Sequence, residues 1–150
     1  MLLSGCGRRP TPEEYRDELK ERVRDYISAV TDIALDIQKF DESGSPASDF
    51  EDHCKACEKA IKNIEKIRYP VDMVYKHEQF LEAFDIEREW LAAVRELMST
   101  KTPGEKEQVL KKIETIVDSE DTFMYRYMEI LMELPREDGS FKDFLNDLGT

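Results

Sequence analysis

Apolar residues recur along this chain in alternating steps of four and three. The first run is Tyr15, Leu19, Val23, Tyr26, Val30, Ile33, Ile37 and Phe40. That spacing keeps one apolar seam on a helix, the pattern of a helix packed in a bundle. Thr11-Pro12-Glu13-Glu14 precedes it, with a capping hydroxyl, a proline suited to the first helical position and a glutamate able to reach back. Asp41-Glu42-Ser43-Gly44-Ser45-Pro46-Ala47 stops the run, because glycine and proline break helical pattern.

The seam restarts three times. Ser48-Asp49-Phe50-Glu51 reads as a second capping box, followed by Phe50, Cys54, Cys57, Ile61 and Ile64. Tyr69-Pro70 interrupts, since a residue before proline is pushed out of the helical region. A third helix is predicted over 71–98, with Met73, His77, Phe80, Phe84, Glu87, Leu91, Val94 and Met98 on its seam. Thr102-Pro103-Gly104-Glu105 opens the fourth. Its seam is Val109, Ile113, Ile116, Glu120, Phe123, Tyr127, Ile130 and Leu134, ended by Pro135 and Gly139. Residues 140–148 read as a short terminal helix with Phe141, Phe144, Leu145 and Leu148 on one side.

Short links make neighbouring helices antiparallel. The pattern therefore predicts an all-α fold: an antiparallel up-down-up-down four-helix bundle with a short C-terminal fifth helix, in one domain over 11–150. A chain of 150 residues is long enough for such a core. Its 37% charged residues, beside 40% apolar ones, suit helices with one apolar stripe and charged outer faces.

The net charge of -12 argues against a nucleic-acid partner, because so acidic a surface repels phosphate backbones. It also disfavours general adhesion to anionic headgroups. No stretch approaches the roughly 20 apolar residues that span a bilayer.

The opening, MLLSGCGRRP, has a different character. Leu3-Ser4-Gly5-Cys6 resembles the lipobox of bacterial lipoproteins: leucine, two small residues, then the cysteine that receives the lipid. The resemblance rests on these four residues. It implies cleavage before Cys6, acylation of Cys6, and residues 1–10 as a signal-peptide remnant and tether. The membrane is then reached through the lipid anchor, and the location is the bacterial cell envelope. Two or three acyl chains anchor stably without a spanning helix. Gly7, in place of aspartate, implies outer-membrane sorting in enteric-type hosts. An accidental match would leave a cytoplasmic bundle with three free thiols.

No motif for phosphate binding or nucleophilic catalysis stands out, so the expectation is a non-enzymatic domain with an interaction or structural role and no cofactor. Cys54 and Cys57 fall on the core stripe and read as small buried apolar side chains, with a disulfide or metal ligation as alternatives. The polar seam positions offer a second reading. Folding the hairpins about 44, 70 and 103 brings Asp36, His53, Glu87 and Glu120 into one layer, the way bundle cores hold a single transition metal ion. The alternative is a polar layer that fixes register. The same fold sets His77 level with Tyr26 and Met128, where it would be a buried histidine bonded to a neighbour, or a haem ligand. Met124, Met128 and Met132 form a row on a helix too apolar for one stripe, a surface suited to an envelope protein partner unless the terminal helix covers it.

Overall fold

The structure, a computed structural model, describes residues 8–118 and 123–134. It is all-helical, with no strand among the described residues. Five helices pack on one another: α1 (Pro12–Ser43), α2 (Phe50–Glu65), α3 (Val74–Met98), α4 (Pro103–Val117) and α5 (Phe123–Glu133). A 3-10 turn, Val71–Met73, leads into α3.

The predicted caps form where the chemistry allows. The Thr11 hydroxyl accepts from the Glu14 amide at 3.1 Å, and the Glu14 carboxylate accepts from the Thr11 amide at 2.9 Å. Two orphan donors at the start of α1 are thereby satisfied. At the other end Gly44 adopts φ 75°, and its amide donates to the Phe40 carbonyl at 2.7 Å. A side chain there would be strained, which is why glycine closes this helix. Thr102 accepts from the Glu105 amide at 3.2 Å and starts α4. The second box does not form: Asp49 sits at the cap of α2 without a capping bond. Its carboxylate turns towards His53 instead.

The buried residues make one cluster drawn from every helix. Tyr15, Leu19, Val23, Tyr26, Ile33 and Phe40 of α1 are buried as the seam requires. Val30 and Ile37 are only half-buried, and Ala29 and Asp36 take the inner positions beside them. α3 is the most enclosed helix, with Ala83, Trp90, Ala93 and Leu97 buried beyond its seam.

The predicted fourth helix is two helices. α4 ends at Val117, capped by Asp118, and α5 begins at Phe123. Asp118 closes α4, and residues 119–122 lie outside the described residues. Short polar side chains compete for backbone hydrogen bonds and favour helix ends over interiors. The four-and-three spacing continues across 118–122, with Glu120 at its seam position, which is why the spacing alone reads as continuous. The predicted terminal helix over 140–148 and the tether residues 1–7 lie outside the described residues.

Ion pairs mark the α2–α3 register. Arg95 of α3 bonds Glu51 at 2.6 Å and Glu58 at 2.9 Å, and Arg88 bonds Glu65 at 2.7 Å. Residue 51 of α2 thus lies by residue 95, and residue 65 by residue 88. The segment between the helices is longer than a turn about residue 70 allows, because the chain leaves α2 after Glu65 and adds a 3-10 turn before α3.

Candidate functional site

Among the described residues three buried or half-buried polar clusters cross the core, and all three draw on α1. The first joins α1 to α2. The His53 Nδ1 lies 2.6 Å from the Asp36 Oδ2, and its Nε2 lies 3.4 Å from the Asp49 Oδ2. Asp36 is fully buried, while the His53 side chain is 25% exposed and Asp49 lies in solvent. One ring nitrogen therefore faces a buried carboxylate and the other an exposed one. The hydrogen bond from His53 to Asp36 holds the imidazole above its ordinary pKa, against a smaller opposing effect of desolvation. The other Asp36 oxygen, Oδ1, is buried without a hydrogen-bond partner among the described residues.

Ligand atoms of Asp36, Asp49 and His53 all lie within 4.8 Å of one another. In many metal sites a histidine offers one nitrogen to the ion while the other donates to a buried carboxylate, which fixes ring orientation. Here Asp36 stands where that orienting carboxylate would be, and His53 Nε2 with Asp49 makes the outward-facing pair.

The hairpin pattern predicts Asp36, His53, Glu87 and Glu120 in one layer. The structure brings Asp36 and His53 together and separates Glu87. Glu87 accepts from the Tyr26 hydroxyl at 2.9 Å. Tyr26 stands about 15 Å along α1 from Asp36, at 1.5 Å per residue. The cause is the α2–α3 register, which sets Glu87 beside the end of α2 that carries Glu65 instead of the end that carries His53. Glu120 lies outside the described residues. Asp49 belongs to a cap pattern in the sequence, yet its place four residues before His53 on one helix face is a signal for the contact.

Glu87 is the centre of the second cluster. Its other oxygen, Oε1, accepts from the Phe123 amide at 3.5 Å, which ties the start of α5 to α3. The surroundings are apolar: Val30, Ile86, Trp90, Ile116 and Val117 line a hollow of about 210 Å³ with Glu87. Burial raises the Glu87 carboxyl above its ordinary pKa, and the bonds from Tyr26 and Phe123 oppose this. Burial also raises the Tyr26 phenol far above its usual range, with the Glu87 charge adding to it.

The third cluster joins α1 to α3 near the other end. The Tyr15 hydroxyl lies 2.8 Å from His77 Nδ1, and both side chains are fully buried. Tyr69 stacks on the imidazole with ring centroids 4.4 Å apart. His77 Nε2 has no partner among the described residues. Desolvation pushes the imidazole down to about 4, so it is neutral at pH 7. The predicted association of His77 with Tyr26 and Met128 is replaced by this one. Tyr26 bonds Glu87, and Met128 is exposed on α5.

Cys54 and Cys57 are buried and unbridged. Burial pushes their thiols up to about 11 and about 12. Such thiols are poor nucleophiles and poor metal ligands at neutral pH. In the methionine row, Met124 packs half-buried against the core, whereas Met128 and Met132 are exposed, together with Tyr125.

The chain matches no protein-family model, no curated protein and no solved structure.

Proposed function

We propose that this chain is a bacterial lipoprotein: a non-catalytic, acidic helical domain held in the cell envelope by acylated Cys6, with an interaction or structural role. In this reading the helices run up-down-up-down, and α4 and α5 together form the fourth rod of the bundle. The observation that carries it is the placement of Leu3-Ser4-Gly5-Cys6 five residues before the Thr11 cap. A lipid-bearing cysteine would thus pass almost directly into a folded domain. No helix among the described residues is long and apolar enough to cross a membrane, so attachment in this reading is through the lipid. Exposed Tyr125, Met128 and Met132 on α5 support a protein partner seated there, since flexible thioethers adapt to varied surfaces.

The test is the intact mass of the membrane fraction after expression of the native gene in a bacterial host, beside Cys6→Ala. A mass matching a chain that starts at acylated Cys6, absent from the variant, is the expected result. An unmodified soluble chain starting at Met1 would overturn the proposal.

The Asp36–Asp49–His53 cluster favours a second reading, a divalent transition metal ion bound by His53 Nε2 and Asp49, with Asp36 orienting the ring. Protein purified without a histidine tag from metal-replete medium would then carry metal that His53→Ala lacks. Absence of stoichiometric metal in the parent protein would sink this reading.

A further inference from the structure

One end of the molecule does not share the acidic character of the whole. There the residues leading into α1 meet the segment between α2 and α3. Arg9 donates to the Tyr69 carbonyl at 3.2 Å, and its guanidinium lies 5.4 Å from the centre of the Tyr69 ring. Arg68 donates to the Arg8 carbonyl. Elsewhere Arg88, Arg95, Lys76, Lys106 and Lys112 each bond a carboxylate. Among the described residues Arg9 and Arg68 have none, and main-chain carbonyls hold them instead. Arg8 differs, since it bonds Glu14. Arg9 and Arg68, with Ile67 and Tyr69, line an open hollow of about 370 Å³.

The chain that follows is apolar and outward-facing. Val71 is 68% exposed and Tyr75 69% exposed, with Val74 between them also in solvent. Asp72 is the one carboxylate within the 66–75 stretch. Guanidiniums beside an exposed tyrosine and valines match the chemistry of a lipid–water interface, where basic groups meet phosphates and amphipathic rings sit at headgroup level. The distance fits as well. Thr11 follows Cys6 by five positions, a reach of at most about 18 Å. An acyl anchor at Cys6 would keep this end of the molecule next to the bilayer.

We propose that the hollow between Arg9 and Arg68 receives the phosphate of an anionic membrane lipid, with Val71, Val74 and Tyr75 entering the interface. The proposal builds on the lipoprotein reading but is tested without acylation. The net charge of -12 does not prevent it. Charges further from the surface than a Debye length of about 8 Å are largely screened at physiological salt. The two phosphate-facing guanidiniums act within that length.

The full chain carrying Cys6→Ser, which cannot be acylated, is sedimented with vesicles of phosphatidylcholine alone and with vesicles containing phosphatidylglycerol. Binding to the phosphatidylglycerol vesicles alone is expected, weakening as salt is raised. At about 1 kcal/mol per basic residue near an anionic surface, each arginine is worth about fivefold in affinity. Arg9→Gln with Arg68→Gln should therefore weaken binding about 20-fold or more. Lys112→Gln, on α4, should leave it unchanged, and the double Arg→Lys variant should retain most of it. Both arginines are exposed, and unchanged helix content by circular dichroism confirms that the variants fold. Equal binding to both vesicle types, or no loss in the double glutamine variant, overturns the proposal. Binding of inorganic phosphate by calorimetry without vesicle binding would assign the hollow to a soluble anion and overturn it too. The Cys6 mass experiment reads the anchor alone, so each proposal can fail without the other.

Discussion

Burying a neutral histidine has a measurable cost in acid. His77 is held down to about 4 against an ordinary value of 6.5. The unfolded chain therefore takes up a proton before the folded one does. Stability from this group is complete above about pH 6.5 and is lost as pH falls towards about 4. Linkage with these two values gives a loss of about 2 kcal/mol on going from pH 7.5 to pH 5. His53, whose pKa is raised, acts on stability with the opposite sign, so only a difference between variants isolates His77. His77→Leu removes the titrating group at similar volume but strands the buried Tyr15 hydroxyl, at about 1–3 kcal/mol at pH 7.5. Tyr15→Phe strands His77 Nδ1 at similar cost. The double variant should lie within about 1 kcal/mol of the parent, because both partners are gone and the orphaned Nε2 goes with them. Urea unfolding followed by the fluorescence of Trp90, the one tryptophan, reads all four proteins. The parent should lose about 2 kcal/mol more than His77→Leu between pH 7.5 and 5. Identical pH slopes, or strictly additive effects of the two substitutions, would refute the reasoning.

Three further outcomes are expected. His53, raised by Asp36, contributes stability that is complete below about pH 6.5 and is lost as pH rises through its folded value; Asp36→Asn should abolish that alkaline loss, read as the urea midpoint at pH 6 against pH 9. Glu87→Ala leaves the Tyr26 hydroxyl and the Phe123 amide without their acceptor, costing about 2 kcal/mol; hydrogen exchange should quicken across α5 more than across α1. Cys54 and Cys57 should resist iodoacetamide at pH 8 in the native protein and react fully in urea, and rapid native labelling of either would contradict their burial.

The positions that carried the fold in the sequence were those where local and tertiary demands agree. Thr11 and Thr102 cap because a hydroxyl at that place satisfies a backbone donor whatever lies beyond. The α1 seam is legible because any partner buries the same stripe. Two kinds of information were not local. α4 closes at Asp118 although the seam spacing continues past it, with Glu120 at the next seam position. The register of α3 on α2 depends on how much chain the 66–73 segment uses, and no repeat encodes that. This is why the Asp36–His53 contact, across the short link at 44–49, was legible while the place of Glu87 was not. The Arg9–Arg68 hollow was invisible for the same reason: it joins residues about 60 positions apart in a chain whose overall charge points the other way.

Tyr15 and Tyr26 lie about three turns apart on α1. Their partners His77 and Glu87 lie nearly the same distance apart on α3. The two bonds therefore act as a pair of marks on two rulers. Sliding α3 by one turn would still set apolar rows against apolar rows, since the seams repeat. It would break both bonds at once and leave four buried polar groups unmatched, at about 1–3 kcal/mol each. Asp36 with His53 applies the same discrimination to α2. The tyrosines on α1 thus add little to the depth of the native well but raise the competing wells of slipped bundles, so that a repetitive sequence collapses to one alignment.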